Sequence, residues 1–77
     1  MSLPDNVLHE LNVLALFNPR STLEGIKIHH DATSDAIAAG ERLFTKGLIT
    51  QPDGGYLTPL GQEVLRHLDS VLTILSP

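Results

Sequence analysis

A single stretch in the second half of the chain, Leu43–Gly61, contains signals for a helix end, a hairpin and a new helix start. Gly47 stands where an ending helix needs a residue in the left-handed conformation. The run Pro52-Asp53-Gly54-Gly55 has the turn chemistry that joins two short strands. Thr58-Pro59 is typical of an N-cap followed by proline at the first helical position. The stretch predicts a helix, a β-hairpin and a helix in that order, and so a mainly helical α+β fold.

Two helices are predicted before this stretch and a third runs into it. The first spans Pro4–Phe17, with the Ser2 hydroxyl as its cap, and Asn18-Pro19 ends it because the residue before a proline is pushed out of the α region. Ser21-Thr22-Leu23-Glu24 repeats the capping pattern and predicts the second helix. Residues 25–29 fit either a strand or a helix, and we favour a short helix.

The third and fourth predicted helices each have one apolar face. Asp31–Ser34 precedes the third helix, whose inner face carries Ala36, Ala39, Gly40 and Leu43. The fourth helix, Pro59–Leu75, has an apolar stripe too broad for so small a domain to cover. Part of that stripe is therefore predicted to contact a second copy of the chain, and the candidates are Leu65, Leu68, Leu72 and Leu75.

Composition restricts the class of protein. A chain of 77 residues allows one domain, residues 1–77, and its 14 Leu residues against three aromatic ones predict a core of packed aliphatic side chains. The absence of cysteine excludes disulfides and thiolate metal sites. We find neither a signal peptide nor an apolar run long enough to span a bilayer, so a soluble cytoplasmic protein without membrane contact is expected.

The charge is acidic overall but balanced in the middle of the chain. The formal net charge is −4, which argues against generic nucleic-acid binding because phosphate contacts need Lys or Arg. Between Arg20 and Lys46, however, four basic residues balance four acidic ones. The acidic excess lies in the two ends and the hairpin.

The pattern L-x-x-x-G-L-I, short turn, Y-L-T-x-x-G over Leu43–Gly61 resembles the winged helix-turn-helix superfamily of bacterial regulators, in the style of its MarR, ArsR and PadR groups. The resemblance implies a three-helix core, a two-stranded wing and a C-terminal helix. It also implies that the third helix is a recognition helix lying in the DNA major groove and that the wing touches the backbone or minor groove.

Carried over to this chain, the resemblance places Thr33, Ser34 and Arg42 near bases or phosphates and Lys46 on the backbone. The remaining groove-facing positions would be Asp35, Ala38 and Glu41. Asp35 and Glu41 have the wrong sign for phosphate, and the predicted wing tip lacks Arg and Lys. The implied fold is therefore a better match to this sequence than the implied DNA reading.

Several residues have both a functional and a purely structural interpretation. Arg42 and Lys46, four apart, could clamp a phosphate or simply offset the negative end of their helix. His29-His30-Asp31 could bind a metal, but adjacent histidines seldom face one ion, and a polar loop is the simpler interpretation. Because no nucleophile, base and orienting group can be named together, we expect no enzyme and no cofactor.

Two functions follow from these observations. The first is a small winged-helix regulator that binds double-stranded DNA as a homodimer through the third helix and the wing. The alternative is a protein-interaction or dimerisation module on the same scaffold that does not bind DNA, as the acidic balance suggests.

Overall fold

The computed structural model describes residues 1–77 and has an α+β fold with one hydrophobic core. Three helices and three short strands follow one another along the chain. They are α1 (Asp5–Leu14), β1 (Ile26–Lys27), α2 (Ser34–Thr45), β2 (Ile49–Gln51), β3 (Gly54–Leu57) and α3 (Pro59–Leu75). The strands form an antiparallel sheet in the order β1-β3-β2.

The second half of the chain folds as its sequence predicts. Gly47 follows α2 with φ +80°, β2 and β3 form the hairpin, and Thr58 is the N-cap of α3. The Thr58 hydroxyl accepts a hydrogen bond from the Gly61 amide at 3.1 Å and donates one to the Gly47 carbonyl at 2.6 Å. This one side chain therefore caps α3 and ties its start to the end of α2.

The helix predicted from Ser21 is not formed, which corrects the predicted three-helix core. Ser21 accepts a hydrogen bond from the Leu23 amide in a local turn, and Glu24 accepts one from the Asn18 side-chain amide. Ile26 and Lys27 instead form β1, opposite Gly55 and Gly54 of β3. The two-stranded wing thus becomes a three-stranded sheet, because a partner strand far along the chain satisfies this backbone better than a short isolated helix would.

Helix α1 is shorter than predicted at both ends. Its N-cap is Pro4, without a side-chain capping hydrogen bond, so the predicted role of Ser2 is wrong. Pro4 excludes Leu3 from the helix because the residue before a proline is pushed out of the α region, as was expected for Asn18 before Pro19. After Leu14 the backbone tightens, and the Leu16 and Phe17 amides each bond three residues back. Phe17 nevertheless lies in the core.

Helices α1 and α2 pack on each other, and α3 closes the core from the side of the hairpin. Ala39, Gly40 and Leu43 are the buried face of α2, as predicted. Helix α3 contacts the core as far as Leu68, and Leu65 is 3% exposed there. The buried hydrophobic set is Val13, Leu14, Phe17, Ile28, Ala39, Leu43, Ile49 and Leu65.

Candidate interaction surfaces

The two basic residues of α2 face α1 rather than solvent alone. The Arg42 Nε donates to Glu10 Oε2 at 3.0 Å, and the Lys46 ammonium donates to the other oxygen of the same carboxylate. Arg42 Nη2 also donates to the Asn6 carbonyl at 3.1 Å. Since one carboxylate bonds to both cations, Glu10 offsets one of their two positive charges within the domain.

Glu10 is the one buried charged side chain of the core. Its side chain is only 7% exposed, whereas those of Arg42 and Lys46 are 33% and 52% exposed. Burial by itself raises the pKa of the Glu10 carboxyl, but the hydrogen bonds and charges of Lys46 and Arg42 outweigh it, and the pKa is lowered. Glu10 is therefore an anion at neutral pH that holds two cations to α1.

The other nucleic-acid candidates occupy the start of α2. Thr33 is the N-cap, and its hydroxyl accepts a hydrogen bond from the Ala36 amide at 3.2 Å. Ser34 is exposed in the first turn, next to Asp35, which lies 3.6 Å from the His9 imidazole of α1. The structure thus gives Thr33 a capping task and leaves Ser34, Asp35, Ala38 and Glu41 on the exposed face of α2.

The hairpin does not extend a basic wing. Its tip carries Asp53, whose carboxylate accepts a hydrogen bond from the Lys27 ammonium of β1. That hydrogen bond is the main reason why the pKa of Asp53 lies below its ordinary value. Lys27 is thereby paired as well, so the hairpin surface carries no unpaired positive charge near α2.

A cleft of about 460 Å³ lies between α2, the hairpin tip and the loop after β1. His29 and His30 are exposed on its rim, together with Glu41 and the Lys27–Asp53 pair. No three His, Asp or Glu side chains converge on a point where a metal ion could be held. The histidines are thus part of a polar rim.

Helix α3 presents two parallel apolar stripes, each with residues spaced four and three apart in alternation. The inner stripe contacts the core as far as Leu68, and Leu72 and Leu75 are 45% and 75% exposed beyond it. In the outer stripe Val64 is half-buried against the core, whereas Val71 is 50% and Ile74 81% exposed. The inner stripe is Gly61, Leu65, Leu68, Leu72 and Leu75; the outer stripe is Leu60, Val64, His67, Val71 and Ile74.

The four leucines predicted for a dimer contact differ in how much of their surface is accessible. Leu65 is used in its own core and has no surface left for a second copy. Leu68 is half-buried, and Leu72 and Leu75 remain accessible. The broad apolar stripe predicted for this helix included Leu60, Val64 and Val71 of the outer stripe, but none of them was among the residues predicted for the dimer contact. Glu10 was missed too, and no local signal could have revealed it because its partners lie more than thirty residues away.

The fold and these surfaces define a small α+β domain whose cations at the end of α2 are paired with Glu10 and whose last helix exposes apolar side chains. None of its helices combines the length and apolar character needed to cross a bilayer. The chain belongs to a protein family of unknown function, DUF5669, whose profile matches residues 1–76. Neither a curated protein nor a solved structure matches the chain significantly.

Proposed function

We propose that this chain is a winged-helix-type protein-interaction module that associates with itself through α3. The winged-helix assignment is supported by the order of α2, the β2–β3 hairpin and the capped α3. It departs from the pattern where a turn replaces the helix expected before α2. The proposed scaffold is a winged helix that lacks the helix predicted from Ser21 and keeps the one that follows it, α2.

The observation that carries the interaction function is the exposed apolar surface of α3. Its last two turns expose Val71, Leu72, Ile74 and Leu75, and Leu60 at the start of the helix is 49% exposed. Side chains of this kind are stabilised by roughly 25 cal/mol for each Å² of apolar area removed from water. A contiguous surface of this composition is typical of a protein contact.

The total surface area also supports a partner of the same size. The chain exposes 5373 Å², whereas a compact monomer of its 8.3 kDa mass is expected to expose about 4,600 Å². The excess is roughly 800 Å², which is about what each partner contributes to a standard interface. A second copy offers the same apolar stripe, and a two-fold pairing of α3 with α3 would cover both.

The competing proposal is a DNA-binding transcriptional regulator that uses α2 and the hairpin. The helix, hairpin and helix order supports it, but the cations it needs are paired with Glu10 and Asp53. The exposed face of α2 carries Asp35 and Glu41, which would meet phosphates with like charge. For these reasons we favour the protein-interaction function for this chain.

Sedimentation of the purified protein, at concentrations from the low micromolar range upward, tests the self-association. We expect twice the chain mass for the wild type and the chain mass for the double variant Val71→Glu/Ile74→Glu, because a buried unpaired carboxylate opposes association. Ser70→Glu/Thr73→Glu adds the same two charges on the polar face of the same helix, so it is the matched control and should remain a dimer. A monomeric wild type would contradict the dimer.

A parallel titration into fluorescent mixed-sequence duplex DNA, at low and then physiological salt, separates the two functions. The interaction module should show no binding that weakens steeply with salt. Micromolar binding with a steep salt dependence would instead favour the regulator, because several phosphate contacts release counterions.

A further inference from the structure

The contacts between α1 and α2 have a feature that the interaction function does not use. The guanidinium of Arg42 and the ammonium of Lys46 converge on one carboxylate, and both cations are partly exposed although that carboxylate is buried. An open cleft of about 400 Å³ reaches them from the outer face of α2 and is lined by Ala38, Glu41, Arg42, Thr45 and Lys46. The two cations are therefore accessible from solvent on the outer face of α2, while Glu10 holds them from α1.

We propose that Arg42 and Lys46 form a phosphate-binding site that the Glu10 carboxylate occupies, so that α1 masks the anion-binding capacity of α2. A carboxylate that accepts a bond from each cation occupies the position that two oxygens of a phosphate group would take. Glu10 is covalently part of the domain and pays no association entropy, so it competes effectively with a free anion.

The surrounding charges set the size of the effect. Glu41 lines the same cleft. Asp35 lies nearer the start of α2, 3.6 Å from the His9 imidazole. These two carboxylates reduce the positive potential that removal of Glu10 would create. The unmasked site therefore provides two phosphate contacts, which correspond to a slope of about −1.8 in a plot of log affinity against log salt. A fourfold rise in salt then weakens binding roughly tenfold.

The experiment compares Glu10→Gln with Glu24→Gln by fluorescence anisotropy on a short mixed-sequence duplex. Both variants remove one negative charge, but Glu24 is exposed and its carboxylate bonds only to Asn18. We expect Glu10→Gln to bind at least tenfold more tightly than Glu24→Gln at low salt. Adding Arg42→Gln and Lys46→Gln to Glu10→Gln should remove the gain. A folded Glu10→Gln protein that binds no better than Glu24→Gln would overturn the proposal.

Two further arms complete the test. Competition with inorganic tripolyphosphate distinguishes the sources of the phosphate group. If tripolyphosphate displaces the duplex from Glu10→Gln, the site accepts free phosphates. If the duplex stays bound, the site requires the nucleic-acid backbone. If Glu10→Gln fails to fold, as circular dichroism would show, the wild type is titrated with tripolyphosphate while the Arg42 Nε–H resonance is followed by NMR. The proposal expects this resonance to shift as Glu10 is displaced, and no shift at saturating tripolyphosphate would refute it. None of these residues lies on α3, so the outcome is independent of the dimer.

Discussion

Glu10 shows how one side chain can determine the chemistry of a surface on another element. Burying a carboxylate is costly unless it is paired, and here Arg42 and Lys46 supply both partners. Their charges are in turn not available to an external ligand without competition. Glu10 thus offsets one of the two positive charges at the end of α2, in addition to the balance of acidic and basic residues that the sequence shows between Arg20 and Lys46.

The pKa of Glu10 predicts how stability should depend on pH. Because the folded pKa is lowered from 4.5, the carboxylate binds fewer protons in the folded state than in the unfolded state. Its stabilising contribution is therefore complete above that ordinary value and is lost as the pH falls through the folded pKa. Urea unfolding from about pH 7 to pH 3 should show wild type and Glu10→Gln converging in acid.

At neutral pH, Glu10→Gln should lower the free energy of unfolding by about 1–2 kcal/mol, a modest value because both cations can still reach water. Glu24→Gln serves as the control and should keep the acid slope of the wild type. Parallel curves for wild type and Glu10→Gln over the whole range would show that the pairing contributes nothing to stability.

Among the helices and strands, those that depend on residues close to them in the sequence were predicted correctly, and the one that depends on a distant strand was not. The hairpin and the whole of α3 depend on turn and capping residues next to them in the chain, and both were predicted. The segment after Ser21 was predicted as a helix and forms a strand, because β3 decides its conformation. The sequence showed the ambiguity at 25–29 but could not supply the missing partner.

The start of α3 packs closely against the backbone of Leu48, a contact that could not be predicted from the sequence. A Cβ atom at Gly61 would lie 2.0 Å from the backbone carbonyl oxygen of Leu48. Gly61→Ala should therefore destabilise the protein by about 1–3 kcal/mol or more, since backbone cannot yield as a flexible side chain can. Gln62→Ala, at the exposed neighbouring position, should be nearly neutral in the same thermal unfolding measurement. Equal melting temperatures for the two variants would contradict this packing.

The whole molecule is a small core with a helix that extends beyond it. Only 12 of the 77 residues are buried, and the last two turns of α3 contribute none of them. A domain of this size has a narrow stability margin and gains from covering such a surface. Self-association would therefore be part of its folding energetics as well as of its function.

This coupling predicts that stability depends on protein concentration. If the folded chain dimerises through α3, the midpoint of thermal unfolding should rise as the concentration is increased a hundredfold, because association favours the folded state by mass action. Val71→Glu/Ile74→Glu should unfold at one midpoint regardless of concentration. A wild-type midpoint that stays constant would oppose a dimer coupled to folding.

The sequence by itself determined the features that arise between near neighbours: the α+β class, the hairpin at Pro52–Gly55, the Thr58 cap and the extent of α3. It also indicated that α3 carries more apolar surface than one domain can cover. The tertiary structure alone decided that Ile26 joins a sheet, that Leu65 is used in the core and that Glu10 pairs with both Arg42 and Lys46. The physical reason is range, because capping and turn energies are local, whereas strand pairing, burial and ion pairing depend on residues that only the folded chain brings together.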